Sequence, residues 1–214
     1  MKKDIIFWDV DTQYDFMMPD GNLYVPGAET IIDKVNHVRK FAFENSFSIL
    51  ADIDWHSTEN EEISDSPDFK KTFPSHCMAG SKGSKRVGFL GNVPIQYIET
   101  DEIEEQDLQK LIDTEPFHIV IRKEAVDVFF NPNTAKLINL IEPKSVIVFG
   151  VALDICVKHT INGLKQYPGL SVTLLEDVTK GLSPESERQT LNAFKKMSVE
   201  IVKFEELKRQ MTRS

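Results

Sequence analysis

Val146-Ile147-Val148-Phe149-Gly150-Val151-Ala152-Leu153-Asp154-Ile155-Cys156-Val157 is the stretch on which the reading of this chain turns. Its left half is apolar and β-branched without alternation, the pattern of a strand buried on both faces. A strand is expected over Ser145–Phe149. Its right half opens a run with helical spacing, expected over Cys156–Gln166. Cys156 therefore stands where a strand turns into a helix. Unpaired backbone N–H groups and the positive end of the helix dipole meet there. Both favour the thiolate, the form of cysteine that attacks carbon. The plain alternative is a buried structural thiol.

Outward from this stretch, strand-like and helix-like runs alternate. Strands are expected over Ile5–Val10, Phe47–Ala51, Ile95–Ile98, His118–Arg122, Ser171–Leu175 and Val199–Phe204. Helices are expected over Glu29–Phe43, Glu102–Asp113, Thr134–Ile141 and Pro184–Met197. Pro143 stops the helix before the Cys156 strand, and Pro184 suits the first turn of the last helix. Residues 57–94, rich in Ser, Gly, Lys and Pro, make a long excursion, and long structured loops in compact domains are usually functional. The alternation implies an α/β fold with a parallel sheet covered on both faces. A chain of 214 residues fits one such domain, residues 1–214, better than two small ones. In these sheets ligands bind beyond the carboxyl ends of the strands.

Composition narrows the function classes. The chain is 41% hydrophobic and 28% charged, with a formal net charge of -9. A nucleic acid or an anionic membrane as main partner would need clustered positive charge, so neither is expected. No apolar run reaches membrane-spanning length. The stretch after Met1-Lys2-Lys3-Asp4 is too short and too acidic for a signal peptide, and the expected location is the cytoplasm. Cys77 and Cys156 are far apart and form no CxxC, so a disulfide is not expected there.

The strand ends carry the chemistry. Asp9-Val10-Asp11-Thr12-Gln13-Tyr14-Asp15-Phe16 follows the first, Asp52-Ile53-Asp54-Trp55-His56 the second, Arg122-Lys123 a third, and Cys156 comes after the quoted strand. Each alone suits a solvated loop; together, on the edge where the fold builds sites, they form a constellation. It suits acyl transfer through a thioester. Cys156 would attack a carbonyl carbon, and a carboxylate beside it would take the thiol proton and hand it to the leaving amine. The Lys123 ammonium would favour the thiolate and hold that carboxylate. Backbone N–H groups of Ala152 and Cys156 would take the oxyanion.

A second cluster is Asp54, His56 and His76. Asp54 and His56 share a face on extended backbone, and His76 can fold back from the excursion. One carboxylate and two imidazoles leave coordination positions open, as a functional divalent site does and a closed structural zinc does not. Such a set accepts zinc, iron or manganese. Glu62 and Asp65 lie between these ligands and either add one or solvate the loop. His37 and His159 read as helix-surface residues.

In this order the segments resemble the isochorismatase-like cysteine hydrolases, and within them the nicotinamidase (pyrazinamidase) branch. Asp11-Thr12-Gln13-Tyr14-Asp15-Phe16 followed by Pro19 to Ala28 resembles the family's D-x-Q-x-D-F opening and its Gly-Ala turn. Asp54-Trp55-His56 matches D-W-H, and Phe73-Pro74-Ser75-His76-Cys77-Met78-Ala79-Gly80-Ser81-Lys82-Gly83 resembles W-P-x-H-C-x-x-G-[TS]-x-G. Lys123 matches the lysine that follows a strand, and Gly150 to Val157 the nucleophile segment. The likeness runs over residues 4–204. It implies a three-layer α-β-α fold with a six-stranded parallel sheet, and Asp11, Lys123 and Cys156 as a triad. It also implies a cis peptide between Val151 and Ala152. Asp54, His56 and His76 would hold one divalent ion, zinc first, and Glu62 stands where some relatives carry a fourth ligand. Phe16 and Phe73 stand where aromatic side chains sandwich the substrate ring, with the ion at the ring nitrogen. The implied reaction is nicotinamide and water to nicotinate and ammonia, in NAD salvage. Oligomers are common among such proteins. The chain departs from the pattern at Phe73 in place of Trp, at Leu153 and Ile155 beside the nucleophile, and over Glu124 to Phe130. Residues 87–113 match no motif.

Three other readings compete. Asp9-Val10-Asp11-Thr12 also resembles the opening of a haloacid-dehalogenase-type phosphatase, with Lys123 and Glu176-Asp177 in later roles. Gln13 stands where that pattern has Thr, and Cys156 and His76 go unused. A ureido or carbamoyl amidohydrolase of the same family would typically lack the Asp-His-His cluster. A binding protein with a dead site would have no use for Asp11, Lys123 and Cys156.

Overall fold

The computed structural model describes residues 4–89 and 94–211. Residues 90–93 of the excursion, and the first three of the N-terminal stretch, lie outside the described residues. β1 (Ile5–Val10) has no polar residue before Asp9, so both of its faces are buried, and it sits at the centre of the sheet. β2 (Ser48–Asp54) and β5 (Ser145–Val151) flank it, both parallel to it, from Ile6↔Ser48 to Val10↔Asp52 and from Ile5↔Ser145 to Val10↔Gly150. With β3 (Ile95–Ile98), β4 (His118–Lys123), β6 (Ser171–Lys180) and β7 (Glu200–Val202), the full order is β3-β4-β2-β1-β5-β6-β7, with every pairing parallel.

The sheet has seven strands, where the resemblance implies six. The two short runs at the edges both find partners. β3 pairs with β4 over four residues, and β7 with β6 over three. The outer N–H and C=O groups of a neighbouring strand are enough to recruit such a run.

Helices cover both faces. Ile6, Trp8 and Val10 of β1 face a core built with α3 (Glu105–Ile112), α4 (Pro132–Ile141), α5 (Cys156–Leu164) and α6 (Pro184–Lys196). Phe7 faces the opposite core, with α2 (Ile32–Glu44) and α7 (Phe204–Met211). The period of two along the strand sends alternate side chains to the two layers. α1 (Tyr14–Met17) and α7 were not expected from the sequence, and both are short. β6 runs on past Leu175 to Lys180, so Glu176 and Asp177 lie within a strand and not at its end.

Two features of the fold place the site. The chain leaves β1 for β2 on one side and returns through β5 on the other, so the strand order reverses between β1 and β5. That reversal opens a crevice at the carboxyl ends of the two strands. Gly150, with φ +122, lies against β1 there; a Cβ on it would stand 2.1 Å from the Val10 carbonyl oxygen. Only glycine lets the strands pass so closely. Among the described residues, no helix is long and apolar enough to cross a membrane.

Candidate functional site

Asp11 is the first residue past β1 and adopts a left-handed conformation, φ +46, which aspartate tolerates better than most residues. Its N–H donates to the Asp52 carbonyl at 3.1 Å, tying it to the end of β2. Lys123 ends β4 and is almost wholly buried. Its Nζ lies 2.9 Å from Asp11 Oδ2 and also pairs with Asp54 Oδ1. Cys156 is the first residue of α5, 7% exposed, and its thiol lies within electrostatic reach of Asp11 and Lys123. Asp11, Lys123 and Cys156, from three separate strand ends, therefore meet. The Val151–Ala152 peptide bond is cis. Other amides of that turn are committed: Leu153 N–H donates to the Lys180 carbonyl, and those of Ile155 and Val157 both donate to the Ala152 carbonyl.

The charge balance differs from the expectation of a resting thiolate. Burial lifts the Cys156 thiol well above its ordinary range; Lys123 opposes this, while Asp11 and Asp54 add to it. The Lys123 ammonium does not reverse that direction. Burial likewise drives the proton affinity of Asp11 well above the usual carboxylate range, against the pull of Lys123 and with help from Asp54 and Asp52. Burial lowers the Lys123 proton affinity, but Asp11 and Asp54 outweigh it and hold the ammonium well above its ordinary value. The result is a sulfur and a carboxylate that both bind a proton more tightly than usual, beside an ammonium held above its ordinary value.

Asp54, His56 and His76 also converge, with ligand atoms all within 4.8 Å of one another. Asp54 Oδ2 lies 3.3 Å from His76 Nε2 and 3.5 Å from His56 Nε2. The His76 Nδ1 faces the Pro74 carbonyl at 2.8 Å, which assigns the proton to Nδ1 and the lone pair to the Nε2 that faces Asp54. His56 is fully buried with no hydrogen-bond partner on either ring nitrogen. An unpaired buried imidazole is costly, and a cation at this point would satisfy it. The donor set, one carboxylate and two imidazoles, fits a divalent transition metal. Glu62 stands further off: its Oε2 is 3.9 Å from His56 Nε2, while its Oε1 accepts from the Val126 N–H at 2.8 Å. Asp54 belongs to both clusters, one oxygen toward Lys123 and the other toward the imidazoles. Although burial opposes it, Lys123 and the two histidines pull its proton affinity well below the usual range. Spacing along the chain gave no sign of this bridge.

The two clusters meet at a cavity of about 180 Å³. Cys156, Asp54, His76 and Glu62 are its polar lining, and Phe16 and Phe73 stand among its apolar walls. Their rings lie 5.5 Å and 6.0 Å from that of His76. Cys77 is a packed thiol held above its ordinary range by burial.

Two residues of the opening motif do work the sequence did not reveal. Gln13 Nε2 donates to the Asp54 carbonyl at 2.7 Å and its Oε1 accepts from the Asp54 N–H at 2.8 Å, clamping the end of β2. Asp15 accepts from the Cys77 N–H at 2.7 Å and the Asn22 N–H at 3.0 Å, fixing the residue next to His76. Gly83 packs on this carboxylate; a Cβ there would lie 1.9 Å from Asp15 Oδ2. Thus Asp11, Gln13 and Asp15, at alternate positions, each reach a different part of the site.

The sequence pattern of the isochorismatase domain matches residues 100–206, half of the 214-residue chain. The chain belongs to the isochorismatase family. Within it, the chain is 25% identical over 202 residues to a nicotinamidase/pyrazinamidase of Mycobacterium tuberculosis, covering 90% of this chain and 95% of that protein. It is equally 25% identical to a nicotinamidase of Saccharomyces cerevisiae, over 83% of this chain and 88% of that one. The crystal structure of a pyrazinamidase of Pyrococcus horikoshii in complex with zinc superimposes with a TM-score of 0.73 at 28% identity, over 94% of this chain and 99% of that one.

Proposed function

We propose that this chain is a cysteine amidohydrolase that converts nicotinamide and water to nicotinate and ammonia through a thioester. The observation that carries the proposal is the meeting of the Cys156 thiol, the high-affinity carboxylate Asp11 and the Lys123 ammonium beside a ligand set of Asp54, His56 and His76. Asp11 takes the thiol proton as the sulfur adds to the carboxamide carbon. Lys123 keeps the local charge balanced while the thiolate exists. Backbone N–H groups of Ala152 and Cys156 receive the oxyanion. Asp11 then returns the proton to the departing nitrogen, ammonia leaves, and water, deprotonated by the same carboxylate, cleaves the thioester. Asp54, His56 and His76 would hold a divalent ion, zinc before iron or manganese, which when bound offers a Lewis-acidic contact to the ring nitrogen. Phe16 and Phe73 would flank the ring.

The relatives' names support this substrate, and the Asp-His-His cluster favours it over a ureido or carbamoyl substrate. The phosphatase reading would need Asp9 as nucleophile. Asp9 is fully buried and bonded to Arg39, Arg86 and Thr12, so no phosphorus can approach it. We further read residues 1–214 as one cytoplasmic domain. The deciding experiment measures ammonia release from nicotinamide, pyrazinamide and ureido acids, with elemental analysis of the same sample. Cys156→Ala should abolish turnover while metal content and the unfolding midpoint persist. Full activity in that variant would remove the mechanism.

A further inference from the structure

The outer half of the cavity is built differently from its floor. All four polar lining residues, Cys156, Asp54, His76 and Glu62, belong to the two clusters already described. The rest of the lining is hydrocarbon: Leu23, Val25, Val126, Ala152 and Ile155 besides the two flanking phenylalanines, with Phe69 and Leu182. These last two are 64% and 47% exposed, among the few large apolar side chains left in solvent. They reach the same cavity from opposite parts of the chain, Phe69 from the loop that bears His76 and Leu182 from the turn after β6.

Phe69 is held there with some force. Its backbone is left-handed, φ +54, an uncommon state for a bulky residue. The loop keeps it so with a dense set of bonds around an exposed carboxylate. Asp68 Oδ1 accepts from the N–H groups of Lys70, Lys71 and Thr72 at 2.9, 2.8 and 2.9 Å. The Asp68 N–H donates to Thr72 Oγ1 at 2.9 Å, and the Phe69 N–H to the Thr72 carbonyl at 3.0 Å. Below, the loop closes through Phe73 N–H to the Glu62 carbonyl at 2.7 Å. An exposed loop thus fixes an aromatic ring, in a strained conformation, against the rim of a reaction cavity. Core packing does not explain it, because most of the ring faces solvent.

We infer that Phe69 and Leu182 form an outer apolar subsite that selects carboxamides carrying a hydrocarbon substituent on the ring edge away from the reacting group. The inference rests on the proposed amidohydrolase reading. With the carboxamide at Cys156 and the ring nitrogen toward Asp54 and the histidines, the ring carbon opposite that edge is C5. A C5 substituent leaves the polar floor and meets these two side chains. Among the described residues no cationic side chain lines the cavity, so a carboxylate at C5 would lose hydration without gaining a partner.

The test compares kcat/KM for nicotinamide, its C5-methyl and C5-propyl derivatives and the C5-carboxylate. It uses the full chain and its Phe69→Ala, Phe69→Leu, Leu182→Ala and Asp68→Ala variants. Exposure of the altered side chains keeps the folding of these variants safe. The full chain should process the C5-alkyl amides at least as well as nicotinamide and reject the carboxylate. Phe69→Ala and Leu182→Ala should each lower the propyl-to-nicotinamide ratio about 10-fold, the scale of discrimination by hydrocarbon contacts. Phe69→Leu should restore part of it, and Asp68→Ala should lower it by loosening the loop. Ratios equal across all proteins, or rejection of C5-alkyl amides by the full chain, would overturn the subsite while leaving the amidohydrolase reading intact. Absence of ammonia from every carboxamide would overturn both.

Discussion

Asp9 and Asp11 stand two residues apart at the end of β1, both wholly buried, and behave in opposite ways. Asp9 lies among cations. Arg39 Nε sits 2.7 Å from its carboxylate, an Arg86 guanidinium nitrogen 2.5 Å, and the Thr12 hydroxyl 2.8 Å. Burial favours its proton, yet the two guanidinium groups hold its proton affinity well below the usual range. Asp11 shares one ammonium with Asp54, and its affinity goes up. Two cations on one carboxylate make a permanent ion and a structural lock. Two carboxylates on one cation leave an excess of negative charge that seeks a proton, which is what a base needs. Burial is the same in both places, so the ratio of opposite charges decides.

Substitutions can separate the two. Asp11→Asn should lower ammonia release about 10²–10⁴-fold, the usual contribution of general acid–base catalysis. Its urea midpoint should hold or rise, because an unfavourable buried charge is gone. Asp9→Asn should do the reverse. It leaves two buried guanidinium groups unpaired and should cost about 3–5 kcal/mol of stability, read by urea unfolding, while the folded fraction keeps its turnover rate. If Asp11→Asn unfolds the chain and Asp9→Asn only slows it, the contrast is wrong.

Smaller effects sharpen it. Asp15→Ala removes the acceptor of the Cys77 and Asn22 amides and should cost about 1–3 kcal/mol, with less divalent metal taken up by the Asp54, His56 and His76 set in a binding titration. Unchanged metal uptake would leave Asp15 without a part in holding the His76 loop. Asp52, whose Oδ1 accepts from the Trp8 indole N–H at 2.6 Å, is pushed by burial from 3.8 up to about 7. Its folded state keeps a proton that the unfolded chain has released. Stability from this group is therefore present below the unfolded value and is lost as pH rises from 3.8 to about 7. Asp9 acts with the opposite sign: its contribution is present above the ordinary carboxylate value and is lost as pH falls through its lowered one. Asp52→Asn should narrow the difference between urea midpoints at pH 5 and pH 8. An unchanged difference would remove Asp52 from the balance.

Much of the fold was legible in the sequence. Unbroken apolar runs such as Ile5 to Trp8 and Val146 to Phe149 announce strands buried on both faces, and the helices between them follow their periodicity. α7 was missed because half of its eight residues are charged and only Phe204 and Leu207 are buried. The chemistry-bearing strand ends were also legible, since Asp11, Asp54, Lys123 and Cys156 lie at or within a few residues of the ends of apolar runs. Phe69 and Leu182 were not. They lie in irregular segments with no period, where nothing in neighbouring residues says which way a side chain points.

By itself the sequence determined the order of strands and helices and the residue types at the carboxyl edge, because periodicity and backbone preference act over a few residues. Only the tertiary structure decided which of two neighbouring aspartates is held below the usual carboxylate range and which above it, that Asp54 joins both clusters, and that burial lifts the Cys156 thiol. Those outcomes depend on burial and on charges a few ångströms away in space, contributed by residues 30 to 145 positions distant along the chain.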